Sequence, residues 1–124
     1  MGLQPDDAAL PHVVAAEVIG VNLTGVFLVS KQFVDGMADR GWGRIVNISS
    51  VVGRIALPFL GAYCASKFAM EALSDALRVE LAGSGLAVSL IEPGPIITDF
   101  RKTCVEKTEE HIRESDSIFG GMYM

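Results

Sequence analysis

The chain has no lysine or arginine before Lys31, so it lacks the basic start that a secretory signal requires. It has only two cysteines, Cys64 and Cys104. They are too few for a disulfide framework, show no metal-ligand spacing, and read as reduced residues of a cytoplasmic protein. No apolar run is long enough to span a bilayer: the longest, Ile55 to Ala65, is broken by Pro58 and Gly61. Positive charge is scarce. Ten Lys and Arg against fifteen Asp and Glu give a net charge of −5, which argues against nucleic acid or an anionic membrane surface as a partner. Internal repeats and low-complexity segments are also missing. What is present is apolar residues: they make up 50% of the 124 residues, enough for the core of one domain.

Ala8 to about Met37 reads as helical, with Val14, Val18, Val21 and Phe27 recurring at close to 3.6-residue spacing, although Gly20 and Gly25 interrupt its middle. Gly41-Trp42-Gly43 is a turn, and Arg44 to Ser49 is a β-branched run with the look of a buried strand. Ser50 to Ala62 is loop, punctuated by Gly53, Pro58 and Gly61. Tyr63 to Leu81 follows as a helix rich in Ala, Leu, Met and Glu. Glu71, Ser74, Asp75 and Arg78 form its polar stripe, and Phe68, Ala69, Ala72, Leu73, Ala76 and Leu77 fill a broad apolar remainder. So wide an apolar face is expected to be covered twice, by a sheet and by something else. Gly83 and Gly85 stop the helix, and Leu86 to Glu92 is a second apolar strand closed by Pro93-Gly94. Strand, helix, strand with near-continuous apolar strands indicates a right-handed parallel crossover of the α/β class. Two parallel strands alone make no stable sheet, so neighbouring strands are expected that the sequence does not contain.

Tyr63 and Lys67 are four residues apart, on one helix face. A phenol of ordinary pKa near 10 is about one part in a thousand ionised at neutral pH. An ammonium at roughly 5 Å, in an effective dielectric of about 20, favours the phenolate by about 3 kcal/mol. That corresponds to roughly two pKa units, enough to make the tyrosine a usable acid and base. A serine at the end of the preceding strand could bond the same reacting oxygen, and active sites of parallel sheets lie at such strand ends. Taken alone, each feature also has a plainer explanation. Lys67 is close in angle to Glu71, Ser74 and Arg78 and fits a solvated stripe; Ser49-Ser50 fits a loop start or cap, Asn22 a helix end, and Pro93-Gly94 a turn.

The ordered set NLTG, RIVNISS, YCASK and EPGPIIT, spanning Asn22 to Thr98, resembles the short-chain dehydrogenase/reductase family. YCASKFAMEALSDALRVEL is similar to the branch with hydroxysteroid and retinol dehydrogenases. The resemblance implies an NAD(P)-dependent oxidoreductase interconverting a secondary alcohol and a carbonyl, with NAD and NADP not distinguished. It implies Tyr63 as general acid/base and Lys67 as the group that lowers its pKa and bonds the nicotinamide ribose. The family's serine stands thirteen residues before the tyrosine, which selects Ser50 over Ser49; it orients the substrate carbonyl. Asn22 matches the asparagine that kinks the long helix and holds a water near the lysine. Pro93, Gly94, Ile96 and Thr98 match the loop that seats the nicotinamide. The relatives also imply a homo-oligomer, built through the Tyr63–Leu81 helix and its long neighbour.

The family's opening strand and glycine-rich turn have no match: Gly2 is isolated, and Gly41-Trp42-Gly43 precedes a strand. The expected fold is therefore a partial Rossmann-like doubly wound parallel sheet, one incomplete domain over residues 1–124. It corresponds to roughly the second half of a relative, and GGMYM is unlike a family ending. The alternative is a truncated, inactive chain without a dinucleotide phosphate site. Residues 99–124 fall where relatives carry a substrate lid, or form a disordered tail, with Glu109 and Arg113 at helical spacing and His111 on the surface. Ile55, Leu57, Phe59 and Leu60 suggest an apolar wall for a hydrophobic alcohol. No metal, nucleic acid or membrane span is expected.

Overall fold

A computed structural model describes residues 15–58, 60–99 and 102–103. The chain divides into two compact units, Met1–Gly94 and Pro95–Met124. Within the second, the Thr103 amide and hydroxyl both donate to the Asp99 carbonyl, at 2.9 and 3.1 Å. The lid or tail expected from residue 99 onward lies largely outside the described residues, as do Phe59, Cys104, Glu109, His111 and Arg113.

Among the described residues, the first unit is built from two helices and two strands. Helix α1, Ala15–Asp39, is continuous through Gly20 and Gly25 because the segment between them, Gly20–Gly25, widens into a π-helical turn. Glycine lowers the cost of leaving regular geometry, and a Cβ on Gly25 would stand 3.4 Å from the Gly20 carbonyl oxygen. Strand β1, Gly43–Ile48, pairs in parallel with β2, Leu86–Ile91, in the register Gly43 to Leu86 through Ile48 to Ile91. Between them runs helix α2, Gly61–Glu80, completing the crossover. The crossover thus has the parallel sense expected from the sequence, with each element end within two residues of its expected place.

Burial alternates along β1. Gly43, Ile45 and Asn47 are covered, whereas Val46 and Ile48 are 52% and 53% exposed. Both helices lie against the covered face. Met37 of α1 packs so tightly under Gly43 that a Cβ there would meet its side chain at 2.5–2.8 Å, and the Asn47 amide donates to the Ser74 hydroxyl of α2 at 2.9 Å. Arg44 to Ser49 was expected as a buried strand; among the described residues only one face of it is covered. At the N-terminal ends of the strands, Gly41 (φ 65°) and Gly85 (φ 83°) meet backbone to backbone, and a Cβ on Gly85 would overlap the Gly41 carbonyl.

Helix α2 corrects an expectation. Its inner face is the polar one: Ser66, Lys67, Glu71 and Ser74 are buried alongside Cys64 and Met70. Of the stripe read as solvated, only Asp75 and Arg78 are exposed, joined by an ion pair, and Arg78 also donates to the Val88 carbonyl at 2.9 Å. The apolar remainder faces outward, with Phe68 43% exposed and Ala72 and Ala76 open. Polar side chains go inside because that face covers the carboxyl end of β1, where backbone carbonyls need donors. Helix α1 adds Val21, Phe27, Leu28 and Phe33 to the exposed apolar surface. By length and composition alone it could also cross a membrane, a property hidden from the run-length reading by its scattered polar residues.

Candidate active site

Lys67 is 9% exposed, and its ammonium donates to the Ile48 carbonyl at 2.8 Å, at the last residue of β1. The same nitrogen stands 5.7 Å from the centroid of the Tyr63 ring. Tyr63 and Lys67 therefore meet on one face of α2, at the carboxyl end of the sheet. Burial lowers the Lys67 pKa from its ordinary value, because the ammonium has given up water for one carbonyl and an aromatic face.

Two residues past Ile48 comes Ser50. Its backbone is extended, and its hydroxyl oxygen accepts the Val52 amide at 3.3 Å, capping the short 3-10 turn Val51–Gly53. Ser49 is turned the other way: 3% exposed, its amide bonded to the Ile91 carbonyl at 2.8 Å, its hydroxyl inward. Ser50 therefore follows the end of β1 that also receives Lys67.

Asn22 lies within the π-helical turn, and its amide donates to the Ser66 hydroxyl at 3.2 Å; that hydroxyl donates to the Tyr63 carbonyl at 2.7 Å. Asn22 is thereby tied to the tyrosine's own backbone. Ser66 is a link the sequence reading missed; its only signal was a small polar residue between Tyr63 and Lys67. An open groove of about 520 Å³ runs between α1 and β1, with Asn22, Asn47, Ile48 and Lys67 along it.

Pro93 and Gly94 follow β2, and the Pro93 carbonyl accepts the Val51 amide at 3.1 Å, so the two post-strand loops are joined. Ile96 and Thr98 belong to the second unit, where Ile96 is 67% exposed. Ile55, Leu57 and Leu60 of the suggested apolar wall are all exposed. Cys64 is a free, buried thiol whose sulfur accepts the Leu57 amide at 3.5 Å, steadying the loop that enters α2. The sequence reading also passed over Arg54. It bonds Glu92 through Nε and Nη2 at 3.2 and 3.0 Å and stands 2.8 Å from the buried Glu71 carboxylate. The Glu92 hydrogen bond first, then the nearby carboxylate charges, raise the Arg54 pKa.

Residues 3–109 match the family model of the short chain dehydrogenases. The chain is 54% identical over 79 residues to the uncharacterized oxidoreductase YbbO of Escherichia coli (strain K12), covering 64% of this chain and 29% of that protein. It is 39% identical over 116 residues to human 17-beta-hydroxysteroid dehydrogenase type 1, covering 94% of this chain and 35% of that protein. Among solved structures it resembles a gluconate 5-dehydrogenase from Burkholderia cenocepacia, in complex with NADP and tartrate. The TM-score is 0.69 at 30% identity, covering 85% of this chain and 38% of the other. The chain spans about a third of the length of these relatives.

Proposed function

The chain belongs to the short-chain dehydrogenase family, and on that premise we propose that it carries the proton-transfer half of a nicotinamide-dependent oxidoreductase interconverting a secondary alcohol and a carbonyl. The observation that carries this reading is the Lys67 ammonium, which lies near the Tyr63 ring and donates to the carbonyl of Ile48, two residues before Ser50.

Tyr63 passes a proton to or from the substrate oxygen, and the cation beside it stabilises the negative charge that develops on the phenol. Ser50 accepts from Val52, which fixes its oxygen and leaves its hydroxyl proton to be donated to a substrate carbonyl. When bound, the nicotinamide supplies or takes the hydride. The donor set fits the ribose end of such a cofactor: Lys67 spends one of its three N–H donors on Ile48, and the tied loop carrying Pro93 and Gly94 lies beside the same strand end. Ile96 and Thr98 are assigned to the nicotinamide from the family motif alone, and NAD and NADP are equivalent in this reading. Asn22 acts through Ser66 on Tyr63 and orders the proton route.

In a turnover assay with NAD(P)H and a panel of hydrophobic ketones, Tyr63→Phe is expected to lose at least about 100-fold in kcat, the usual contribution of a positioned acid. Nucleotide affinity should hold. Retention of most of the wild-type rate would overturn the assignment. A second reading, a chain with the proton-transfer residues but no seat for the pyrophosphate, is favoured by one observation: no glycine-rich strand-to-helix turn is among the described residues. Fluorescence titration with NADH and NADPH separates the two, since submicromolar binding excludes the second.

We also assign the exposed apolar sides of α1 and α2 to a second copy of this chain. Leu23, Thr24, Phe27, Ala69, Ala72 and Leu73 line a shallow groove there. The acidic balance and apolar loop fit a cytoplasmic enzyme acting on a small hydrophobic alcohol, without nucleic-acid or membrane partners.

A further inference from the structure

We propose that Arg54 and Glu71 form a positioning pair that staples the Ser50 loop to the helix carrying Tyr63 and Lys67, setting serine and tyrosine in register. The proposal deepens the oxidoreductase reading and rests on it for its catalytic consequence.

Glu71 lies on the inner stripe of α2, one turn beyond Lys67 and two beyond Tyr63, and is 4% exposed. Its carboxylate is 2.8 Å from the Arg54 guanidinium, yet neither of its oxygens receives a directed hydrogen bond, nor does the buried Ser49 hydroxyl find a partner. Stability does not account for such a residue. A buried carboxylate that receives no directed hydrogen bond and whose ion-pair partner is half exposed carries a desolvation cost that an apolar side chain of equal size avoids. The surroundings indicate what the pair does instead. Gly53, the last residue of the turn that Ser50 caps, presses its bare Cα onto this carboxylate: a Cβ there would stand 2.8 Å from the Ser49 hydroxyl and 3.1 Å from a Glu71 oxygen. Arg54 follows directly, and its planar fork also grips Glu92, the residue before Pro93. One guanidinium thus joins the serine loop, the tyrosine helix and the loop after β2. At the other end of the turn, the bonds from Ser49 to Ile91 and from Val51 to Pro93 tie the loop to β2 but not to α2. Among the described residues, Arg54 and Glu71 make the ion pair that crosses from the serine loop to α2.

The test is Glu71→Met in the full chain, read by amide hydrogen exchange, thermal unfolding and turnover. The proposal expects exchange in residues 51–55 to accelerate about tenfold or more while β1 and β2 hold their protection. It further expects an undiminished Tm, and kcat reduced about tenfold or more with KM for the nucleotide little changed. Unaltered exchange in residues 51–55 overturns the proposal. So does a fall in Tm with faster exchange across strands and helix together, since that is the signature of a merely structural residue. Should Glu71→Met fail to fold, Glu71 is structural; Arg54→Gln, at a half-exposed position, then decides by the same exchange pattern whether the staple exists. If the wild-type chain shows no turnover, the oxidoreductase reading fails, and the exchange result still decides the staple.

Discussion

At Ser74 a fully buried hydroxyl accepts the Asn47 amide from β1. Alanine there leaves that amide without its partner in an apolar setting, at a cost of about 1–3 kcal/mol. The same change at a solvated stripe position would stay within roughly 0.5 kcal/mol. Urea unfolding of Ser74→Ala therefore measures directly whether the polar stripe of α2 is inside. Lys67 makes a second, pH-dependent test. Its folded pKa lies below the ordinary 10.5, so between those two values the unfolded chain binds more protons than the folded one, and stability rises with pH across that interval. Below it the burial penalty is present in full. Wild type should gain stability relative to Lys67→Met as pH climbs toward 10.5, and a difference that stays flat from neutral pH upward would contradict the burial argument. Tyr63, Lys67 and Ser50 were legible as residues because their chemistry is rare in that order. Glu71, Ser66 and Arg54 were not, because a carboxylate, a small hydroxyl and a guanidinium read the same in solvent as in a site.

The ends of β1, α2 and β2 and the C-terminal end of α1 were legible to within a residue or two, since β-branched runs, Ala/Leu-rich segments and glycine stops mark them locally. The expected start of α1 at Ala8 lies outside the described residues. Two features escaped. The interruption at Gly20 and Gly25 was visible, but its outcome, a π-helical turn that aims Asn22 at Ser66, depends on α2 being opposite. The orientation of α2 was inverted, because amphipathicity names two faces without saying which one meets the sheet. The outward face makes a prediction of its own. Phe68→Glu places a charge on the exposed apolar side of α2 and should shift the chain toward monomer in light scattering, with the Tm little altered. A monomeric wild type, or a variant that associates unchanged, would remove the second copy from that face.

At the largest scale, the described residues form a two-stranded parallel sheet with both helices on one side, leaving Val46 and Ile48 open on the other, a surface that a complete doubly wound sheet would cover. The family and the parallel crossover were both readable from order and spacing, because motif residues and strand-helix-strand periodicity are local properties of the chain. By itself the sequence determined the family and where β1, α2 and β2 would begin. Only the tertiary structure decided that the hydrophilic side of α2 turns inward, that Lys67 reaches the Ile48 carbonyl, and that one guanidinium gathers three segments. The physical reason is that buried backbone carbonyls and carboxylates take their partners from whichever element folds over them, and that choice is made across the sheet rather than along the chain.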